Sequence, residues 1–150
     1  MEENREAITI LLADDDPDDI LLTIRALKQN RLANDIHTVS DGEELMDYLY
    51  HRGEYADPAS SPRPGLILLD LNMPRKDGRE ALDEIKHDAV LRRIPVVVLT
   101  TSDAERDILR TYDLGVNAFV TKPVTFDGLA EAIRVLSDFW FELVKLPLEQ

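Results

Sequence analysis

A chain of 150 residues with 44% hydrophobic content has room for one domain with a buried core. No apolar run approaches the roughly 18 residues of a membrane span, the opening Met1-Glu2-Glu3-Asn4-Arg5-Glu6 lacks the parts of a signal peptide, and the absence of cysteine excludes disulfides, thiol catalysis and zinc–thiolate sites. Seventeen Lys+Arg against 30 Asp+Glu give a net charge of −13, which repels nucleic acid and anionic membranes and leaves a soluble cytoplasmic domain as the expectation.

In chain order, β-branched-rich apolar runs alternate with amphipathic stretches. Ile8–Ala13 reads as a first strand; it shows no apolar/polar alternation, so both faces are expected to be buried. Asp16-Pro17 supplies an N-cap and a proline at the first helical position, and Ile20, Leu21, Ile24, Leu27 and Lys28 continue at helical spacing. Asp35–Val39 is a weaker strand, and Ser40-Asp41-Gly42-Glu43 has the spacing of a capping box opening a second helix. Arg52–Pro64 holds three prolines and two serines and reads as an exposed loop without structure of its own. Leu66–Leu69 is a third strand, followed by a turn at Asp77-Gly78 and a helix over Gly78–Ala89 with Ala81, Leu82 and Ile85 as its stripe. Ile94–Leu99 is a fourth strand. A capping box at Ser102-Asp103-Ala104-Glu105 opens a helix that stops at Leu114-Gly115. Ala118–Thr121 is the fifth strand, and a last helix runs from about Thr125 to Val144. Five strand–helix repeats predict an α/β parallel sheet with helices on both faces and right-handed crossovers.

Open parallel sheets bind ligands at the carboxyl ends of their strands. The first strand ends in Asp14-Asp15-Asp16, the third in Asp70 and the fourth in Thr100, and the fifth runs into Lys122-Pro123. Carboxylates gathered this way repel unless a cation joins them. A small set of hard oxygen ligands suits magnesium better than a closed calcium cage. One carboxylate can then attack phosphorus, while the hydroxyl and the ammonium grip the phosphoryl oxygens.

Asp14-Asp15, the run Leu68-Leu69-Asp70-Leu71-Asn72-Met73-Pro74 on to Gly78, Thr100-Thr101 and Lys122-Pro123, in this order, resemble the receiver domain of two-component response regulators from Ile8 to about Leu143. The Asp16-to-Leu22 opening, the Pro-rich loop and Phe139-Trp140-Phe141 resemble more narrowly the small regulators that pair with cyanobacterial and bacterial phytochromes. The resemblance implies a flavodoxin-like, doubly wound five-stranded sheet of order 2-1-3-4-5. It implies one receiver domain over 1–150, with a core of about 8–143 and a C-terminal helix extension and tail over 137–150. It implies that Asp70 accepts a phosphoryl group from a phytochrome-type sensor histidine kinase, with self-phosphorylation and hydrolysis as the only intrinsic chemistry. Magnesium, with manganese as a substitute, would sit on Asp15 directly, on Asp14 through water, on Asp70 and on the main-chain carbonyl of Asn72. Thr100 and Lys122 would hold the phosphate, and Phe119 stands at the family's switch aromatic, without the hydroxyl of a tyrosine. The Lys122-Pro123 bond corresponds to the family's cis peptide. Thr101 and Ser102 would tune the lifetime of the phosphoryl group.

Plainer readings stand beside these. Asp16, Asp18 and Asp19 suit a solvated helix N-terminus, and Phe119 suits the core. An EF-hand is out, because the sixth and twelfth positions from Asp14 are Asp19 and Arg25. His37, His51 and His87 lack metal spacing and receive no role. An aspartate-nucleophile phosphohydrolase would need an acid at Asn72, an FMN carrier a Gly- and hydroxyl-rich first loop, and a degenerate receiver an incomplete site. Leu129, Ala132, Ile133, Leu136, Trp140 and Leu143 form one helical stripe, while Val135, Phe139, Phe141 and Leu146 fall off it and are expected to form a homodimer interface. Three residues after Pro147 leave no space for an output domain, so the output is expected to run through an unidentified protein target, with no nucleic acid or membrane involved.

Overall fold

The computed structural model describes residues 9–30, 35–101, 116 and 118–135, the side chains of Ile133 and Val135 apart. Strands β1 (Thr9–Ala13), β2 (Asp35–Val39), β3 (Leu66–Asp70), β4 (Val96–Thr100) and β5 (Ala118–Thr121) form one parallel sheet in the order β2-β1-β3-β4-β5. Helices α1 (Pro17–Gln29), α2 (Gly42–Tyr50), α3 (Gly78–Lys86) and α4 (Phe126–Val135) accompany it. The expected helix from Ser102 to Gly115, and Leu136, Phe139–Phe141, Leu143 and Leu146, lie outside the described residues.

The continuous apolar runs are explained by which face each residue serves. Leu11, Ala13, Ile67, Leu69, Val96 and Val98 point to one side, where Leu45, Met46 and Leu49 of α2 and Ala81, Leu82 and Ile85 of α3 cover them. Ile10, Leu12, Leu66, Leu68, Val97 and Leu99 point to the other, under Ala26 and Leu27 of α1 and Leu129 and Ala132 of α4. Both faces are buried, so neither needs a polar residue. Each large side chain withdrawn from water contributes roughly 1.5–3 kcal/mol. The edge strand β2 lacks this double cover, and Asp35 and Thr38 are exposed on it.

Several expected details move. The cap of α2 is Asp41, not Ser40: the Asp41 carboxylate accepts from Glu44 N at 2.7 Å, and Glu44 Oε1 accepts from Ser40 N at 2.7 Å. Only the cap half of the box forms, one residue later than expected: a carboxylate is the stronger acceptor at a helix N-terminus, and Glu44 reaches back to Ser40 N rather than to the Asp41 amide. Helix α3 ends at Lys86 rather than Ala89. The Asp88 carboxylate captures Val90 N and Leu91 N at 2.8 and 2.9 Å and starts a separate 3-10 turn over Leu91–Arg93. The loop expected to be structureless contains a 3-10 turn at Gly53–Tyr55. It is tied down by Tyr48 Oη donating to Pro62 O at 2.9 Å, by the Tyr55 ring packed at a tilt against Tyr48 with centroids 5.2 Å apart, and by Ser61, which is buried. Strands β3 and β4 each run one residue further than expected, to Asp70 and Thr100, so these two site residues belong to the sheet itself.

Candidate functional site

The sheet register brings the expected residues together. Ala13 pairs with Leu69, and Asp70 with Leu99, so Asp14 leaves the end of β1 beside the end of β3. Asp14 N donates to Val39 O at 3.0 Å, which ties the start of the loop to β2. The Asp14 side chain is wholly buried, and its Oδ1 accepts from Asp16 N at 3.0 Å. Asp16 in turn caps α1 by accepting from Asp18 N and Asp19 N. This short relay turns the chain sharply and leaves Asp15 exposed between two fixed neighbours.

Asp70 is 3% exposed, and its Oδ1 accepts from Asn72 N at 3.1 Å. Behind it, Gly78 N donates to Leu71 O at 2.9 Å, where α3 begins. A Cβ at Gly78 would lie 2.3 Å from Asp70 O and 2.6 Å from Leu71 Cα, so only glycine lets α3 start this close to the strand end. Thr100 ends β4, buried, and its carbonyl accepts from Lys122 N at 3.0 Å. The Lys122-Pro123 peptide is cis, as the resemblance implied.

Lys122 joins these parts. Its side chain is 6% exposed, and Nζ lies 3.0 Å from Asp14 Oδ2, 2.9 Å from Asp19 Oδ2 and 3.1 Å from Asp70 Oδ2. An ammonium has three N–H donors, and three carboxylates surround it. Burial works against the charge of Lys122, but the bonds to Asp19 and Asp14 and the negative charge of Asp70 outweigh it and hold the ammonium above the ordinary lysine range. Burial pushes the Asp70 carboxyl up to about 6; the Asn72 amide and Lys122 oppose this, and the charge of Asp14 adds to it.

Oxygens of Asp14, Asp15 and Asp70 all lie within 4.8 Å of one another. One ammonium does not neutralise this group, and Asp14 Oδ2, fully buried, takes no directed hydrogen bond beyond its ion pair with Lys122. Hard oxygen donors at this spacing, one of them a buried carboxylate oxygen met only by an ion pair, fit a small divalent cation.

The structure thus unites Asp14, Asp15, Asp70, Thr100 and Lys122 at one edge of the sheet, with Asn72 bound to Asp70 through its main chain. Phe119 is half-buried and packs against the core layer shared with α2 and α3, so the plain core reading holds for it. Asp19 is the residue that sequence reasoning missed. Sequence alone places it on a solvated helix start, yet its carboxylate holds Lys122. Its position one turn after the Asp16 cap was the available signal, but only the sheet order shows that this turn faces the end of β5. The histidines stay out of the site: His37 meets Asp35, His51 meets Ser61 O, and His87 meets Asp83 O.

A buried strand-end carboxylate pinned by a lysine and flanked by two further acids, on a parallel sheet of order 2-1-3-4-5, is the signature of a phosphoacceptor signalling module. The model of the response regulator receiver domain family matches residues 10–134, and the chain belongs to that family. It is 43% identical over 146 residues to the response regulator Rcp1 of Synechocystis sp., covering 97% of each protein. Among solved structures, the Mn(2+)-bound form of Rcp1 superposes with a TM-score of 0.73 at 44% identity, covering 90% of this chain and 95% of that one. The phosphorylated cyanobacterial phytochrome response regulator RcpA gives 0.74 at 47% identity, covering 89% and 94%. The bacteriophytochrome response regulator RtBRR gives 0.79 at 42% identity, covering 86% and 77%. The protein is therefore a receiver of the phytochrome response regulator type, a phosphoacceptor signalling protein.

Proposed function

We propose that Asp70 accepts a phosphoryl group from the phosphohistidine of a phytochrome-type sensor kinase. The observation that carries this reading is the fixed geometry of Asp70: buried, with one oxygen on the Asn72 amide and the other on Lys122. An Asp70 oxygen attacks phosphorus, the P–N bond to the kinase histidine breaks, and the imidazole nitrogen keeps the electron pair and takes up a proton. Asp14, Asp15, Asp70 and the Asn72 carbonyl would hold magnesium, with manganese as a substitute, and the bound ion would neutralise charge on the transferring group. The Mn(2+)-bound form of Rcp1 supports that choice.

Lys122 and Thr100 take the new phosphoryl oxygens, Phe119 answers by repacking, and water later cleaves the acyl phosphate. Thr101, exposed beside Thr100, tunes that lifetime together with Ser102. The protein acts in the cytoplasm through partner contacts rather than on a separate substrate. Asn72 disfavours a phosphohydrolase, since an amide side chain cannot serve as the general acid or base. The off-stripe residues Val135, Phe139, Phe141 and Leu146 support a homodimer. Radiolabel from a phosphorylated phytochrome-type kinase should move to the wild type only with divalent cation present and should not move to Asp70→Asn. Label that survives Asp70→Asn, or turnover of a free phosphoester, would overturn the reading.

A further inference from the structure

Lys122 is bound by three carboxylates, and they are not equivalent. Asp14 and Asp70 belong to the acidic group that fits a cation, and Asp70 is also the proposed acceptor. Asp19 belongs to neither role. Its side chain is 23% exposed and its Oδ2 makes, at 2.9 Å, the shortest of the three contacts. It is also fixed in place: Asp19 N donates to the Asp16 cap, and Asp19 O accepts from Thr23 Oγ1 at 2.8 Å, deep in α1.

These facts separate what persists during the reaction from what does not. A cation at Asp14 competes with the ammonium for the same oxygens. A phosphoryl group on Asp70 removes carboxylate charge there and presents new oxygens instead. The two contacts to Asp14 and Asp70 are therefore weakened by the events that make the protein work, and the contact to Asp19 is not. Resting on the assignment of Asp70 as acceptor, we propose that Asp19 is the positioning residue for Lys122: it holds the ammonium at the acceptor while the Asp14 and Asp70 contacts are given up to cation and phosphoryl group. Without Asp19, the flexible lysine stem would have to be ordered during the transfer itself, which slows the step.

The test uses the full chain with acetyl phosphate as donor. Asp70 attacks phosphorus, the P–O bond to the acyl group breaks, and acetate leaves with the electron pair. With magnesium and donor both saturating, Asp19→Asn should lower the maximal rate of acyl-phosphate formation roughly tenfold, the size expected for losing a charge-assisted bond to a positioning group. Asp19→Glu should recover most of that rate. Asp18→Asn removes the same charge from the same helix turn, but Asp18 makes no ion pair with Lys122; its rate should stay within about twofold of wild type. With magnesium and the acyl-phosphate mimic beryllofluoride bound, the Lys122 ammonium should give a protected, slowly exchanging NMR signal in the wild type that disappears in Asp19→Asn.

A rate for Asp19→Asn equal to that of wild type or of Asp18→Asn, or an ammonium signal unchanged by the substitution, overturns the proposal and leaves the role of Asp70 intact. Failure of the wild type to take phosphate, or labelling of Asp70→Asn, overturns the acceptor assignment, and this inference with it.

Discussion

Asp70 pays for its place in the sheet with a proton affinity it would not have in water. Its carboxyl is raised from 3.8 to about 6, mainly by burial. Folding therefore favours the protonated form. The stability attached to it is complete below about pH 4 and is lost as pH rises to about 6, on the order of 3 kcal/mol in all. In urea titrations without divalent cation, the stability of the wild type relative to Asp70→Asn should decline between about pH 4 and 6 and then level off. At neutral pH the Asn variant should be the more stable. Added magnesium should raise the melting temperature of the wild type more than that of Asp70→Asn; equal responses would place the cation elsewhere. At this scale most of the site was legible in the sequence, because Asp14, Asp15, Asp70, Thr100 and Lys122 each terminate or follow a strand, and strand ends can be counted. Asp19 was not legible, since its partner lies 103 positions along the chain and only the sheet order brings the two together.

Elements meet at this edge through close backbone contacts rather than large side chains. Gly78 starts α3 against the carbonyl of Asp70, and any Cβ there must push the strand end or the helix aside. Gly78→Ala should therefore destabilise by about 2 kcal/mol or more, lower the melting temperature by about 5 °C and slow phosphoryl acceptance, because the displaced backbone carries Asp70. Gly53 is the contrast: it has a left-handed φ of +59° with open space around it. Gly53→Ala should cost only about 1 kcal/mol of strain and leave acceptance untouched. A melting curve and a labelling assay on the two variants separate these outcomes. The order and type of the described elements followed from periodicity and caps. What periodicity missed came from single carboxylates: Asp41 displaced Ser40 as a cap, and Asp88 cut α3 short by capturing the next turn's amides.

For the molecule as a whole, the net charge of −13 is unevenly used. Asp14, Asp15, Asp19 and Asp70 form one negative pole around Lys122, and the pole exists because a parallel sheet sends all its strand ends the same way. The proposed homodimer would rest on the off-stripe apolar residues Val135, Phe139, Phe141 and Leu146. Sedimentation equilibrium should return the mass of a dimer for the wild type and of a monomer for Phe139→Asp or Phe141→Asp; a monomeric wild type overturns that assembly. The β1–β3 pairing has a further consequence. Asp14 and Asp70 are spaced by a ladder whose members Ile10, Leu11, Leu12, Leu66, Ile67, Leu68 and Leu69 are all completely buried. Their amides should exchange with deuterium only when the entire domain unfolds, whereas those of β2 at the sheet's edge should exchange earlier. The gap between the two acids is thus set by the slowest-breathing part of the protein, so the acceptor can be charged and cleared repeatedly without its framework having to reassemble.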